Sequence, residues 1–257
     1  AAAREEQPCV EFKNVSLTYS GSGAPSVEGI NFKAMKGQTI GVIGGTGSGK
    51  SSLVNLIPRL YDATQGEVLV DGVNVKDYDI ETLRNKVGIV MQKAVLFKGT
   101  IRENMWMGKK GATDEQIDEA LEISQSKEFV DSKQGRLDYV IEQGGKNLSG
   151  GQRQRLTIAR AIVRKPDVLI LDDSASALDF ATDAALRKAI RGMNNSPTVF
   201  IVSQRAASLM YADLIIVLDD GQVAGMGTHD ELLANCEVYK EIYESQFRKA
   251  DSEGGVA

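Results

Sequence analysis

The run Gly44-Gly45-Thr46-Gly47-Ser48-Gly49-Lys50-Ser51, entered from the apolar stretch Thr39-Ile40-Gly41-Val42-Ile43, admits few folds. A buried strand has to feed a glycine loop, and the loop has to open at once into a helix, here from about Lys50 to Leu60. The glycines let the backbone wrap closely around an anion, with amide hydrogens and the helix N-terminus turned toward the negative charge. Every fixed position of GxxxxGK[ST] is satisfied, so the loop is expected to cradle the phosphates of a nucleotide. Lys50 is expected at the β- and γ-phosphates, the Ser51 hydroxyl on Mg²⁺, and Ser52 in the same binding stretch. A glycine-rich turn without function is the bland alternative, and it does not account for strand, loop and helix in that order.

A second constraint lies downstream. Val168-Leu169-Ile170-Leu171 is a run of four apolar residues ending in Asp172 and Asp173. It reads as a central parallel strand, buried on both faces and opening at its C-terminal end onto a ligand. Asp172 is expected on the Mg²⁺ side, and Asp173 facing the attacking water as general base. About twenty residues earlier stands Leu148-Ser149-Gly150-Gly151-Gln152, at the start of a helix from Gly150 to Arg164 that Pro166 stops.

Around these motifs the pattern is that of a layered α/β protein. Val10-Lys13, Val15-Tyr19 and Gly29-Lys33 alternate as antiparallel strands half open to solvent, with a turn at Gly21-Ser22-Gly23. From Thr113 to about Lys133 the chain turns helical, with Thr113 and Gln116 at capping-box spacing. Strands at 198–202, 214–218 and 222–226 alternate with helices near 182–193 and 239–247. Residues 1–7 read as a linker without the features of a signal peptide, residues 8–247 as the domain with a helical subdomain over about 93–165, and residues 248–257 as a polar tail. Hydrophobic content of 42% with 25% charged residues is ordinary, and no apolar run reaches the roughly 18 residues of a membrane helix. A net charge of -5 argues against a nucleic-acid partner, and Arg153-Gln154-Arg155 reads as a solvated face. Cys9 and Cys236 lack metal-site spacing and fit a reducing cytoplasm.

With these motifs in this order, the chain resembles the ATPase subunit of an ABC transporter, of the exporter type, across roughly residues 8 to 247. The resemblance implies a P-loop NTPase core with a mainly parallel sheet, an N-terminal antiparallel β subdomain and an inserted helical subdomain. It implies ATP and Mg²⁺ as ligands, and Tyr19 as the aromatic that stacks on adenine. It gives Gln92 a contact with Mg²⁺ and the lytic water, and a part in sensing a membrane domain. The amides of Ser149, Gly150 and Gly151, within Leu148 to Gln152, would bind the γ-phosphate held by a second subunit. Ser176-Ala177-Leu178-Asp179 resembles the loop through which two such subunits communicate. Arg59-Leu60-Tyr61-Asp62 and the stretch from Leu96 to Asn104 look like exporter relatives. His229 falls in a helix-start pattern and reads as structural. The implied partners are a second ABC ATPase domain and transmembrane domains, which would place the chain at the cytoplasmic face of the cell membrane.

Two departures fall on one γ-phosphate. Asp173 stands where the family has glutamate, and Gln204 where it has a switch histidine. Aspartate is one methylene shorter, and a misplacement of about 1 Å can lower a rate on the order of a hundredfold. Glutamine can hydrogen-bond phosphate but cannot become a cation or shuttle a proton. Gln143 also stands where an acid often precedes the signature. A weakened ATP site beside an intact Leu148 to Gln152 implies an asymmetric heterodimer whose partner supplies glutamate and histidine. A nucleotide-gated dimerisation module with negligible hydrolysis is the alternative. Soluble ABC ATPases of DNA repair insert long coiled coils before the signature, and the interval here is too short for one.

Overall fold

The computed structural model describes residues 7–174 and 176–253. The expected linker at residues 1–7 therefore lies outside the described residues except for Gln7, as do the last four residues of the expected tail. In chain order the elements are β1 (Val10–Leu17), β2 (Val27–Ala34), β3 (Thr39–Gly44), α1 (Lys50–Asn55), β4 (Gln65–Val70), β5 (Val73–Asn74) and α2 (Ile80–Lys86). There follow β6 (Val87–Val90), β7 (Gly99–Thr100), α3 (Ile101–Gly108), α4 (Asp114–Ile123), α5 (Lys127–Asp131), β8 (Val140–Ile141), α6 (Gly150–Ile162), β9 (Val168–Asp172) and α7 (Phe180–Arg191). The chain closes with β10 (Thr198–Val202), β11 (Leu214–Asp219), β12 (Gln222–Gly227), α8 (His229–Asn235) and α9 (Glu237–Glu253). Two compact units result, one running to Arg84 and resuming at Thr198, the other holding Asn85–Pro197.

In the first unit β3 runs parallel to both β10 and β11, and β12 returns antiparallel on β11. All six residues of β3 are buried, which is why this stretch reads as continuous apolar sequence without alternation. Beside it β1 pairs antiparallel with β2 and β4. The expected strands Val10-Lys13 and Val15-Tyr19 are one strand. Its register shifts between Phe12 and Val15, where Asn14 turns left-handed with φ 48°. Such a bulge resets the inside-outside alternation, so one strand looks like two. Phe12 stacks on Phe32 with ring centroids 4.5 Å apart, and Phe32 meets Phe200 edge-on, a pair type worth about 0.5–1.5 kcal/mol beyond area burial. α1 stops at Asn55 rather than near Leu60, because Pro58 lacks the amide that a continuing helix needs and Arg59 turns to φ 53°.

The hairpin of β4 and β5 went unread in the sequence although Asp71-Gly72, with φ 49° and 75°, forms its two-residue turn.

In the second unit β6 and β9 pair in parallel, Val87 opposite Val168. α6 packs against α3 and α4, with Leu156, Ile158, Ala159 and Ile162 among its buried residues. The Thr113–Gln116 capping box is present, but the helix expected to run to Lys133 is broken. Gln125 adopts φ 60° between α4 and α5, and the buried Ser124 and Ser126 hydroxyls bond each other at 2.9 Å across the break. Arg153 and Arg155 are not a solvated face. Arg153 donates to the carbonyls of Gly145 and Leu148, while Arg155 lies over the Phe129 ring and donates to the Gln125 carbonyl. Burial lowers the Arg155 pKa.

Neither cysteine is part of a disulfide, and both are buried. Among the described residues no helix is long and apolar enough to cross a membrane.

Candidate functional site

The phosphate loop leaves the end of β3 and enters α1 without a side-chain cap, Gly49 serving as the capping residue at φ 96°. No side-chain cap therefore covers the start of this helix. Two glycines are demanded by the chain itself. A Cβ at Gly44 would lie 2.3 Å from the Leu218 carbonyl, and one at Gly49 would lie 2.3 Å from the Ser26 carbonyl. Gly45 and Gly47 face open space, so close approach from outside is what a side chain there would obstruct. Lys50 is only 9% exposed and its ammonium donates to the carbonyls of Gly44 and Gly45 at 2.9 and 2.7 Å. A strong cation is thus held within the curl of the loop. Ser51 is exposed on the first turn of α1.

Tyr19 follows β1, and its hydroxyl donates to the Ser52 hydroxyl at 2.9 Å. Tyr61 meets the Tyr19 ring edge-on with centroids 4.9 Å apart. The structure therefore joins Tyr19 to the helix that begins at Lys50, with Tyr61 as a buttress that sequence reading had noted only as part of a motif.

The signature segment is built differently. Leu148 is buried, and Ser149 caps α6 through a reciprocal pair. The Gln152 amide donates to the Ser149 hydroxyl at 3.2 Å, and the Ser149 amide donates to the Gln152 side-chain carbonyl at 3.1 Å. This uses the amides of Ser149 and Gln152 and leaves those of Gly150 and Gly151 at the helix start. A Cβ on Gly150 would meet nothing nearer than Arg153 at 3.9 Å, while one on Gly151 would lie 3.3 Å from the Ala177 carbonyl. The Ala177 loop ends at Asp179, which caps α7 by accepting from the Thr182 amide and hydroxyl. Those hydrogen bonds hold the Asp179 carboxyl below the usual carboxylate range.

Asp172 closes the wholly buried strand β9 and is 5% exposed. Asp173 then turns the backbone with φ 46°, a left-handed conformation that aspartate tolerates better than most residues. Its carboxylate accepts from the side-chain amide of Gln92 at 3.4 Å, so these two are brought together. Gln204 follows β10 with its side chain exposed, and its carbonyl accepts from Gln246, a residue that sequence reading missed. Gln143 is exposed in a short 3-10 turn before the signature. His229 begins α8 behind a Thr228–Glu231 capping box and bonds the Tyr239 hydroxyl through Nδ1 at 2.8 Å, the structural place expected of it. Burial pushes the Tyr239 phenol up to about 12.

A buried parallel strand delivering a lysine-bearing glycine loop to an uncapped helix defines a P-loop nucleotide-binding domain. The family model of the ABC transporter matches residues 27–176, and the chain belongs to the ABC transporter family. It is 43% identical over 244 residues to the uncharacterized ABC transporter ATP-binding protein YfiB of Bacillus subtilis (strain 168), covering 95% of this chain and 42% of that protein. It is 38% identical over 241 residues to a putative multidrug export ATP-binding/permease protein of Staphylococcus aureus (strain NCTC 8325 / PS 47), covering 94% of this chain and 42% of that one. Its fold matches the structure of a bacterial Atm1-family ABC exporter with ATP bound at a TM-score of 0.88 and 32% identity, over 93% of this chain and 42% of that chain. The chain thus spans less than half the length of the relatives it matches. ATP-binding domains of this family hydrolyse ATP.

Proposed function

We propose that the chain is the ATP-driven motor domain of an exporter-type ABC transporter, in which its own ATP site is weakened and its signature helix completes the competent site of a different partner domain. The pairing of an intact, self-capped signature helix start with Asp173 and Gln204 carries this reading. Relatives that are exporters or export permeases support the transporter context, with transmembrane domains outside this chain and the motor at the cytoplasmic face of the membrane.

On this reading Gly44 to Ser52 hold the phosphates, Lys50 neutralises the β- and γ-oxygens, and Tyr19 stacks on adenine. Ser51, Gln92 and Asp172 offer a hydroxyl, a carboxamide oxygen and a carboxylate, the hard oxygen donors that suit Mg²⁺. When bound, Mg²⁺ would supply charge neutralisation of the phosphates. Asp173, drawn toward Gln92, takes the proton of the attacking water from one methylene further away than a glutamate would. Gln204 hydrogen-bonds the γ-phosphate without carrying charge. The amides of Gly150 and Gly151, which the cap does not use, serve the γ-phosphate of the partner's ATP.

Asp173→Glu combined with Gln204→His is expected to raise hydrolysis at this chain's own site. The measurement is single-site turnover of the assembled transporter with the partner's site silenced. No gain, with an intact signature supplied by the partner, would show that these two residues do not limit the site. No turnover at either site would instead favour a nucleotide-gated dimerisation module.

A further inference from the structure

The loop that carries Gln204 is gripped by one side chain of α9. Gln246 presents both ends of its carboxamide to that loop: Nε2 donates to the Gln204 carbonyl at 2.7 Å, and Oε1 accepts from the Ala206 amide at 2.9 Å. Chemistry fixes this orientation, since a backbone amide only donates and a backbone carbonyl only accepts. Within the loop the Arg205 amide donates to the Ser203 hydroxyl at 2.9 Å. Ala206 is fully buried while Gln204 is exposed, so the grip joins a packed anchor to the residue that projects outward. The backbone is pinned on both sides of Arg205, and that pinning sets the direction in which the Gln204 side chain leaves the loop.

We propose that Gln246 is a positioning residue for the ATP site: by clamping the backbone of Gln204 and Ala206 it presents the Gln204 carboxamide to the γ-phosphate, and it ties α9 to the recognition of ATP over ADP. The proposal rests on the reading that Gln204 stands at the γ-phosphate. It requires a carboxamide of this length. Glutamate keeps the acceptor for Ala206 but turns an oxygen toward the Gln204 carbonyl, and leucine removes both bonds while keeping most of the volume.

The test compares dissociation constants for fluorescent ATP and ADP analogues in the chain and in Gln204→Ala, Gln246→Leu, Gln246→Glu and the double variant Gln204→Ala/Gln246→Leu. Both Gln246 variants are expected to lower the preference for ATP over ADP by roughly fivefold, the size of one lost hydrogen bond, with ADP affinity unchanged. The double variant should be no worse than Gln204→Ala alone, because one residue acts through the other. Should Gln246→Leu unfold, Gln246→Glu carries the test, since it is isosteric and retains the Ala206 bond. If Gln204→Ala leaves the preference intact, the assignment of Gln204 to the γ-phosphate fails and the positioning role falls with it. If Gln204→Ala lowers the preference but the Gln246 variants do not, or weaken ATP and ADP alike, or add fully in the double variant, the positioning role is overturned while the assignment of Gln204 stands.

Discussion

The phosphate loop and the signature segment are both glycine-rich helix starts, yet the chain treats them in opposite ways. The first has no side-chain cap, and its Gly44 and Gly49 are demanded by carbonyls of the chain itself, those of Leu218 and Ser26. The second carries a reciprocal cap from Ser149 and Gln152, and a Cβ at Gly150 would meet nothing nearer than Arg153 at 3.9 Å. A glycine forced by its own fold and a glycine facing open space answer to different neighbours. A Cβ at Gly49 would strike the chain's own backbone, whereas one at Gly150 would not. On the proposed reading the first start holds this chain's own nucleotide and the second meets one held by a partner, a distinction that composition alone does not draw.

The comparison breaks most visibly at Ser149. Replacing it with arginine removes the cap and covers both amides, so ATPase activity of the assembled transporter should fall by about 10² or more, while ATP binding to this chain's own loop persists. Unchanged turnover in the assembled transporter would mean that the signature completes no active site. Next in size is Lys50→Ala, which removes the cation from the phosphate loop. Its expected mark is a loss of roughly 10- to 100-fold in ATP affinity, read by displacement of a fluorescent nucleotide.

A matched pair of alanine substitutions sharpens the contrast. Gly49→Ala places a Cβ against the Ser26 carbonyl at a left-handed φ and should destabilise the fold by about 1–3 kcal/mol in denaturant melts. Gly150→Ala should leave stability within about 0.5 kcal/mol of the original, or raise it slightly, since alanine is the better helix former. Equal losses from the two would erase the distinction drawn above.

The smallest effect is a dependence on pH confined to the unit that bears the phosphate loop. Tyr239 has its pKa raised from 10.0 to about 12 in the folded chain. Its folded form therefore holds a proton that the unfolded chain has released, and the stability this contributes is complete below pH 10 and lost as pH climbs toward 12. Thermal melts of Tyr239→Phe should show a shallower decline across that window than the original chain. An identical decline would remove Tyr239 as its source.

Legibility followed the range of the forces involved. Gly44 to Ser51, the strand ending in Asp172 and the helix from Gly150 could be read because each is specified by neighbours in sequence: a loop, an apolar run, a capping pair. The bulge at Asn14 and the break at Gln125 could not, because a single left-handed residue resets a periodic pattern without leaving a strong residue signal of its own. Gln246 was invisible for another reason. Its partners are backbone groups 40 and 42 positions away, and backbone groups carry no residue identity for a sequence to display. Arg153 and Arg155 misled for a related reason, since their guanidinium groups donate to backbone carbonyls of this chain.

The reciprocal cap of α6 has a kinetic consequence. Because Ser149 and Gln152 hold the first turn of that helix with groups of this chain alone, the face offered to a partner is already ordered before any encounter. Little conformational entropy remains to be lost at that face when two domains meet, and closure there need not wait for a segment to fold. The rate of coming together then reflects collision and orientation. On the proposed reading, how long the domains stay together then falls to the nucleotide between them.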